Sequence, residues 1–220
     1  MRIRSFVIAY ILVVAILLFA DRRPSLVSQT HYSHVVDLTD GPSQASARNS
    51  ADSKTRIIAP AALVAGTWTA GQIPPERLVA PLVVMDLDTK SSSTAQISLD
   101  DIAAWETVHG MIAPGSLIAI RESYTAATRP RPATAPMPID HDAAQFLISA
   151  RSTIGFATET PVDLKNDRSL ARQLALHGNY IVEGTSRFTK LPETGSLVIV
   201  APAKNLKPGQ AQVRILAMVR

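Results

Sequence analysis

Histidines and carboxylates are the side chains in this sequence that best suit a metal ion, because the chain contains no cysteine. The lack of cysteine excludes disulfides, thiolate metal sites and a cysteine nucleophile. His109 and His177 stand near the ends of predicted helices, where a positive charge favours the helix dipole. His141 stands in a first helical turn, where we expect it to face solvent. The local patterns therefore favour structural or solvated roles for these three histidines.

Short apolar runs alternate with helical patterns, which predicts an α/β domain with a mixed sheet. Ser98 and Asp140 are predicted N-caps of two helices, and Asp101 completes a capping box with Ser98. Trp105 and Val108 are predicted on the buried face of the first helix. A third helix is predicted before Gly178. Strands are predicted at residues 35–38, 56–58, 81–88, 116–120, 153–157, 179–183, 196–201 and 212–218.

Four stretches follow one another in the order and spacing of a known family. They read GTWTAGQIPPERLVAPLVVMDLD from Gly66, TIGFATETPVD from Thr153, HGNYIVEGTSRFTKLP from His177 and GSLVIVAPAKNLKPGQAQVRILAMV from Gly195. Together they resemble the cyclase family of metal-dependent hydrolases, which includes bacterial kynurenine formamidase. The resemblance covers roughly residues 34–219. It implies a single domain of the swivelling β/β/α fold, and we expect a dimer or larger homo-oligomer.

The family's metal-binding box, H-x-G-T-H-x-D-x-P-x-H, can be laid on this sequence by its proline, which corresponds to Pro60. Asp52, Arg56, Ile58 and Ala62 then stand where the family has its three histidines and its aspartate. A metal ion is held by neutral imidazoles and carboxylates. An arginine brings a permanent positive charge instead of a lone pair, and isoleucine and alanine have no donor atom. The resemblance therefore implies a degenerate member that lacks most of the metal ligands.

A histidine and a glutamate later in the family's sequence complete its metal site. At those places this chain has Ala171 and Glu183. The resemblance leaves Glu183 and Asp52 as vestigial metal ligands. We therefore expect no resident cofactor and no catalytic residue of the family's kind.

By analogy with the family, the substrate pocket is lined by Arg56, Glu159, Thr160 and Asp163. The Arg56 guanidinium is expected in the cavity that the metal would otherwise occupy. A buried cation is tolerable only when it is paired, because its desolvation costs several kcal/mol. We therefore expect a two-bond ion pair between Arg56 and Glu183. The alternative is an Arg56 side chain turned outward on an edge strand.

The N-terminal residues read as an export segment, with Arg2 and Arg4 before an apolar run at residues 6–20. The run is shorter than the ~20 residues that span a bilayer comfortably, which favours a signal peptide. An uncleaved anchor at residues 5–20 is the alternative. We expect an exported, periplasmic or extracytoplasmic protein that meets a membrane only through this segment. The predicted division is 1–23 as signal peptide or anchor, 24–54 as a short strand and polar linker, and 55–220 as the family domain.

Three functions remain open. The first is a non-catalytic, exported binding or scaffold protein. The second is an active amide hydrolase of the arylformamidase type, acting on N-formylkynurenine or a related amide of tryptophan catabolism. It would need zinc or manganese and a site rebuilt around Glu183, Asp52 and His177. The third is a membrane-tethered structural protein with basic loops on anionic lipid. Nucleic-acid binding is not expected, since 5% aromatic residues and a net charge of +4 accompany no basic stripe.

Overall fold

The apolar runs of the sequence form the strands of one sheet in the computed structural model. The structure describes residues 31–40, 55–87, 96–122, 133–163, 168–204 and 209–220. Within it, Tyr32–Arg220 form one compact unit. The strands are β1 (His34–Asp37), β2 (Arg56–Ile58), β3 (Val79–Leu87), β4 (Leu117–Glu122), β5 (Gly155–Thr158), β6 (Tyr180–Glu183), β7 (Ser196–Pro202) and β8 (Gln210–Val219). Each predicted strand is confirmed, with its ends within two residues of the prediction.

Within the described ranges, three helices pack against this sheet: α1 (Leu99–His109), α2 (His141–Arg151) and α3 (Arg168–Leu176). Ser98 caps α1, and its backbone N–H donates to the Asp101 carboxylate at 2.8 Å, so the predicted capping box is confirmed. Asp140 caps α2 by accepting a hydrogen bond from the Ala143 N–H at 2.7 Å. These short polar side chains satisfy helical N–H groups that have no partner within the helix.

The prediction that Val108 lies on the buried face of α1 is wrong, since its side chain is 76% exposed. Ile102 is fully buried on that face. Two steps of three residues turn the direction of a side chain by about 120° in a helix of 3.6 residues per turn. Val108 therefore points away from the sheet although its spacing from Ile102 looks amphipathic.

The sheet closes on itself. Its strand order is β1-β8-β2-β6-β5-β4-β3-β7, and β7 also pairs with β8, which produces a closed barrel. Strands β3, β4, β5 and β6 are parallel to their neighbours in that run, and the other pairings are antiparallel. The predicted α/β class and mixed sheet are confirmed. The name of the swivelling fold stays a prediction.

Alternation along the strands divides the buried residues into two cores. One core fills the barrel and includes Ile57 and Val182. The other lies between the barrel and the helices and includes Ile58 and Ile181. Among the described residues, the helix-side core draws on β2 to β6 and on the helices, whereas β1, β7 and β8 contribute nothing to it. In the described part of the chain, the apolar faces of the helices therefore pack against β2 to β6 and not against β1, β7 and β8.

In the part of the chain that the structure describes, no helix is both long enough and apolar enough to cross a bilayer. Residues 1–23, on which the predicted export segment rests, lie outside that part. Export and anchoring therefore stay predictions.

Candidate functional site

The carboxyl ends of the parallel strands β4, β5 and β6 meet at one edge of the barrel. Glu122 ends β4, Thr158 ends β5 and Glu183 ends β6, and all three side chains are buried. Ligand sites of α/β proteins form outside the carboxyl ends of parallel strands. Residues 159–163 follow β5 at this edge and include three of the predicted pocket residues. This edge is the candidate site.

The Glu122 carboxylate holds residue Thr160 in place. The Thr160 N–H donates to Glu122 Oε1 at 3.2 Å, and the Thr160 hydroxyl donates to Glu122 Oε2. The backbone N–H of Glu122 donates to Glu159 Oε2 at 3.0 Å. Thr158 adds a bond from its hydroxyl to the Thr160 carbonyl at 2.8 Å. The predicted pocket residues Glu159 and Thr160 are thus buried parts of a hydrogen-bond network at the end of β4 and β5.

Glu122 was missed by the sequence reasoning. It stands two residues after the apolar run 116–120 that predicted β4, and an acidic residue at the carboxyl end of a buried parallel strand is the signal that could have found it.

Glu183 lies at the other side of the same edge and is 6% exposed. Its Oε2 accepts a hydrogen bond from the Val162 N–H at 2.9 Å. Burial raises the pKa of the Glu183 carboxyl, while the Val162 hydrogen bond and the charge of Arg56 oppose that rise. Glu183 is therefore harder to ionise than a surface glutamate.

Arg56 lies directly opposite Glu183 in the β2–β6 ladder, so both side chains leave the same face of the sheet. The predicted two-bond ion pair between them is nevertheless wrong. The Arg56 side chain is exposed and donates to Gln210 Oε1 at 3.4 Å, and no ion pair joins these two described residues. A long guanidinium side chain can keep its hydration by extending over the surface instead of entering the barrel wall. Arg56 therefore affects Glu183 only through the electrostatic effect of its positive charge.

The other predicted site residues have different outcomes. Asp163 is half-buried, and its backbone N–H donates to the Ala135 carbonyl at 2.7 Å. Asp52 falls outside the described residues, so its role as a vestigial ligand stays a prediction.

His177 and Glu183 lie at opposite ends of β6. His177 follows α3, where its Nδ1 lies 2.9 Å from the Gln173 carbonyl, and it precedes β6. Glu183 ends β6, so at ~3.3 Å per residue the strand separates the two by about 10 Å. The structure thus does not bring the two side chains together, and a rebuilt site that includes His177 stays a prediction.

A second charged cluster lies on the opposite face of β4 at this edge. Arg121 pairs with Asp86 and donates to Glu193 Oε1 at 2.9 Å. It also donates to the carbonyls of Phe188 and Leu191 at 3.4 and 3.2 Å. Hydrogen bonding to Asp86 raises the pKa of Arg121. Because its N–H groups are committed to these partners, this guanidinium ties the segment after β6 to the barrel.

The Cyclase family model, described as "Putative cyclase", matches residues 26–162. That match spans more than half of the 220 residues. The chain belongs to the Cyclase family. No curated protein matches this cyclase chain significantly.

Solved structures share the fold of this cyclase chain. Isatin hydrolase A from Ralstonia solanacearum matches with a TM-score of 0.68 and 23% identity, over 85% of this chain and 92% of that one. Isatin hydrolase A from Labrenzia aggregata, bound to benzyl benzoate, matches with a TM-score of 0.65 and 22% identity, over 84% and 93%. A "predicted metal-dependent hydrolase" from Bacillus stearothermophilus matches with a TM-score of 0.57 and 20% identity, over 85% and 98%. At these identities the likeness establishes the fold.

The metal of such cyclase relatives can be tested against the donor atoms of this chain. Ile58 is buried in the helix-side core. Ala62 ends a 3₁₀ turn that contacts α3, and α3 carries the buried Ala171. None of these side chains has a donor atom. Across the described residues, no group of three or more His, Cys, Asp or Glu is placed to hold a metal ion. The donor atoms that the described residues place around Glu183 therefore do not fit a divalent cation.

Proposed function

We propose that this Cyclase-family chain is an exported binding or scaffold protein that does not carry out metal-dependent hydrolysis. The observation that carries the proposal is the set of side chains around Glu183. Arg56 and Ile58 share its face of the sheet, where the family pattern calls for metal ligands. A catalytic zinc site uses three protein ligands and a water, so one glutamate is too few. The positive charge of Arg56 would also repel a cation beside it.

A binding role is supported by the hydrogen bonds that hold residues 159–163 in place at the candidate edge. Thr160 is fixed by the Glu122 carboxylate, and the Val162 N–H is fixed by the Glu183 carboxylate. Both bonds hold the segment 159–163 onto ends of the barrel strands. A segment that is already ordered loses little conformational entropy when a ligand binds. The edge is thus suited to binding without chemistry.

The remaining parts of the proposal rest on the sequence. The apolar residues 6–20 support export by a signal peptide or anchor, which places the domain in the periplasm or another extracytoplasmic space. The resemblance to the cyclase family supports the swivelling β/β/α fold and a homo-oligomer.

The alternative is an amide hydrolase of the arylformamidase type with a rebuilt site. One observation favours it: Glu183 is a buried carboxyl whose pKa is raised by burial. Such carboxyls serve as general acids or bases near neutral pH. The alternative would use Glu183 with Asp52 and would need zinc or manganese from solution.

Metal analysis combined with an assay decides between the two. The full chain, purified in mild detergent and dialysed against zinc or manganese, should hold no stoichiometric metal. Isatin and N-formylkynurenine should not be hydrolysed above background with or without manganese. Occupancy near one ion per chain, or turnover that needs the metal, would reverse the proposal. Turnover lost in Glu183→Gln but kept in the exposed control Glu76→Gln would establish the alternative.

A further inference from the structure

A cavity of about 280 Å³ lies beside α1, and we call it the α1 cavity. Its walls come from the end of α1 and the segment after it, from β3, from the first residues of β7, and from Arg220 after β8. Ser116 also lines it and precedes β4, whereas Glu122 of the candidate edge ends that strand. At ~3.3 Å per residue, β4 separates these two residues by about 20 Å. The α1 cavity is therefore separate from the candidate edge.

Hydrogen bonds hold the walls of the α1 cavity in place. The Trp105 indole Nε1 donates to the Val84 carbonyl at 3.0 Å, which fixes the ring against β3. The Ile112 N–H donates to Glu106 Oε1 at 2.9 Å, and the same oxygen is paired with Arg151 at 2.6 Å. These bonds form without a ligand. A ligand that enters the cavity therefore loses little affinity to the ordering of the protein.

The lining of the α1 cavity suits a flat ring. The rings of Trp105 and His109 lie with their centroids 4.7 Å apart and form an aromatic wall. Pro81 and Leu197 add apolar surface. Met111 also lines the cavity, and its thioether can contact an aromatic ring favourably. Aromatic rings pack well against such a wall in offset or edge-to-face arrangements.

The volume of the α1 cavity limits the size of its ligand. About 280 Å³ is the volume of roughly nine water molecules at ~30 Å³ each. Cavities that bind drug-sized molecules measure ~300–1,000 Å³, so this one lies just below that range. It therefore has room for one ring with a small substituent.

Arg220 gives the α1 cavity a positive charge. Its guanidinium is always protonated, and no Asp or Glu side chain is among the described residues that line the cavity. Within the described ranges no carboxylate side chain pairs with Arg220. Its stem lies beside Gly195, where a Cβ would be 3.9 Å from the Arg220 Cδ. A guanidinium binds a carboxylate through two parallel hydrogen bonds, so the charged end of a ligand should be a carboxylate.

We propose that the α1 cavity binds a small aromatic carboxylate, with its ring against Trp105 and His109 and its carboxylate on the Arg220 guanidinium. The aromatic wall and the cation belong to different elements, so a ligand that meets both must be flat and apolar at one end and anionic at the other. A neutral aromatic compound leaves Arg220 without a partner, and an aliphatic acid lacks the ring contact. This site goes beyond the proposed function because it does not use the candidate edge.

Benzoate is the probe that tests the proposal. The chain has two tryptophans, so Trp68→Phe leaves Trp105 as the fluorescent reporter. In the full chain in mild detergent, benzoate should change the Trp105 emission saturably, with a dissociation constant on the order of 0.1–1 mM for a ligand of this size. Benzamide has the same shape without the charge, and cyclohexanecarboxylate has the charge without the aromatic ring. Each should bind at least ~5-fold more weakly.

Two variants, made in the Trp68→Phe background, remove one feature of the α1 cavity each. Arg220→Gln should weaken benzoate binding about 10-fold. Arg214→Gln is its matched control, because Arg214 lies on β8 about 20 Å before Arg220 at ~3.4 Å per residue. Ala113 is exposed and lines the cavity, so Ala113→Phe should fill it and weaken binding at least ~10-fold. Ala103→Phe is the control, since Ala103 is exposed on α1 and turned about 200° from Trp105.

Three results would overturn the proposal. The first is an emission change that does not saturate below ~10 mM benzoate, which means no specific binding. The second is equal affinity for benzoate and benzamide, because Arg220 would then not recognise the ligand. The third is benzoate binding that survives either Arg220→Gln or Ala113→Phe, which would place the ligand outside the α1 cavity.

Discussion

Two buried glutamates stand at the ends of the parallel strands β4 and β6, on either side of β5, and they differ in their hydrogen bonds. At the end of β4, both oxygens of Glu122 accept hydrogen bonds from Thr160. At the end of β6, Glu183 accepts one bond, from Val162, and faces Arg56 without pairing to it. Glu122, which is not part of the family pattern, accepts hydrogen bonds on both carboxylate oxygens. Glu183, which stands where the family pattern has a metal ligand, accepts a hydrogen bond from the described residues on only one.

The two carboxylates differ in how far hydrogen bonds offset the cost of burying them. A buried carboxylate costs desolvation energy, which its hydrogen bonds offset when donors reach both oxygens. Glu122 meets that condition with Thr160, so its role is to stabilise the edge. Glu183 meets it only in part, as its raised pKa indicates.

The largest effect should follow from Glu122→Ala. It would leave the buried Thr160 N–H and hydroxyl without an acceptor, at a cost of about 2–4 kcal/mol in the free energy of unfolding. Urea denaturation followed by circular dichroism measures this change. Glu122→Gln, which keeps one acceptor oxygen, should lose less. A change below ~0.5 kcal/mol in the alanine variant would mean that the end of β4 is no better built than the end of β6.

Glu183→Gln should have a smaller effect of opposite sign that depends on pH. Burial raises the pKa of Glu183 above its ordinary 4.5 in the folded state. The stability associated with its protonated form is complete below pH 4.5 and is lost as pH rises through the folded-state pKa. Glutamine does not ionise, so the variant should melt a few degrees higher than wild type near pH 7 and equally near pH 4. Melting curves across this range check it, and a parallel shift at all pH values would contradict the reasoning.

The sequence predicted the elements of the fold because their signals are local. Ser98 and Asp140 indicate helix starts, because their side chains accept hydrogen bonds from the first turn, and apolar runs indicate the strands. Closure of the barrel could not be predicted in this way. It depends on β7 pairing both with β8, the next strand in the chain, and with β3, which is distant in the chain.

For the candidate site, the family pattern predicted which residues lie opposite one another on paired strands, but not the directions of their side chains. The family pattern placed Arg56 and Glu183 together, and they are cross-strand neighbours. The direction of the Arg56 side chain depends on solvent and on Gln210 of β8, which no pattern around residue 56 reveals. Glu122 was missed because it breaks the family pattern, although its bond to Thr160 follows from its place at a strand end.

The smallest effect should follow from Arg56→Ala, although a buried ion pair would have made it one of the largest. Arg56 is exposed and its bond to Gln210 is long, at 3.4 Å, so its removal should change the free energy of unfolding by less than ~0.5 kcal/mol. Arg121→Ala is the contrasting variant. The Arg121 side chain is 14% exposed and bonds two carboxylates, and its loss should cost about 2 kcal/mol. If Arg56→Ala cost as much as Arg121→Ala in urea denaturation, Arg56 would pair with Glu183 in solution. The two strand ends would then be alike, each a buried carboxylate fully satisfied by the protein.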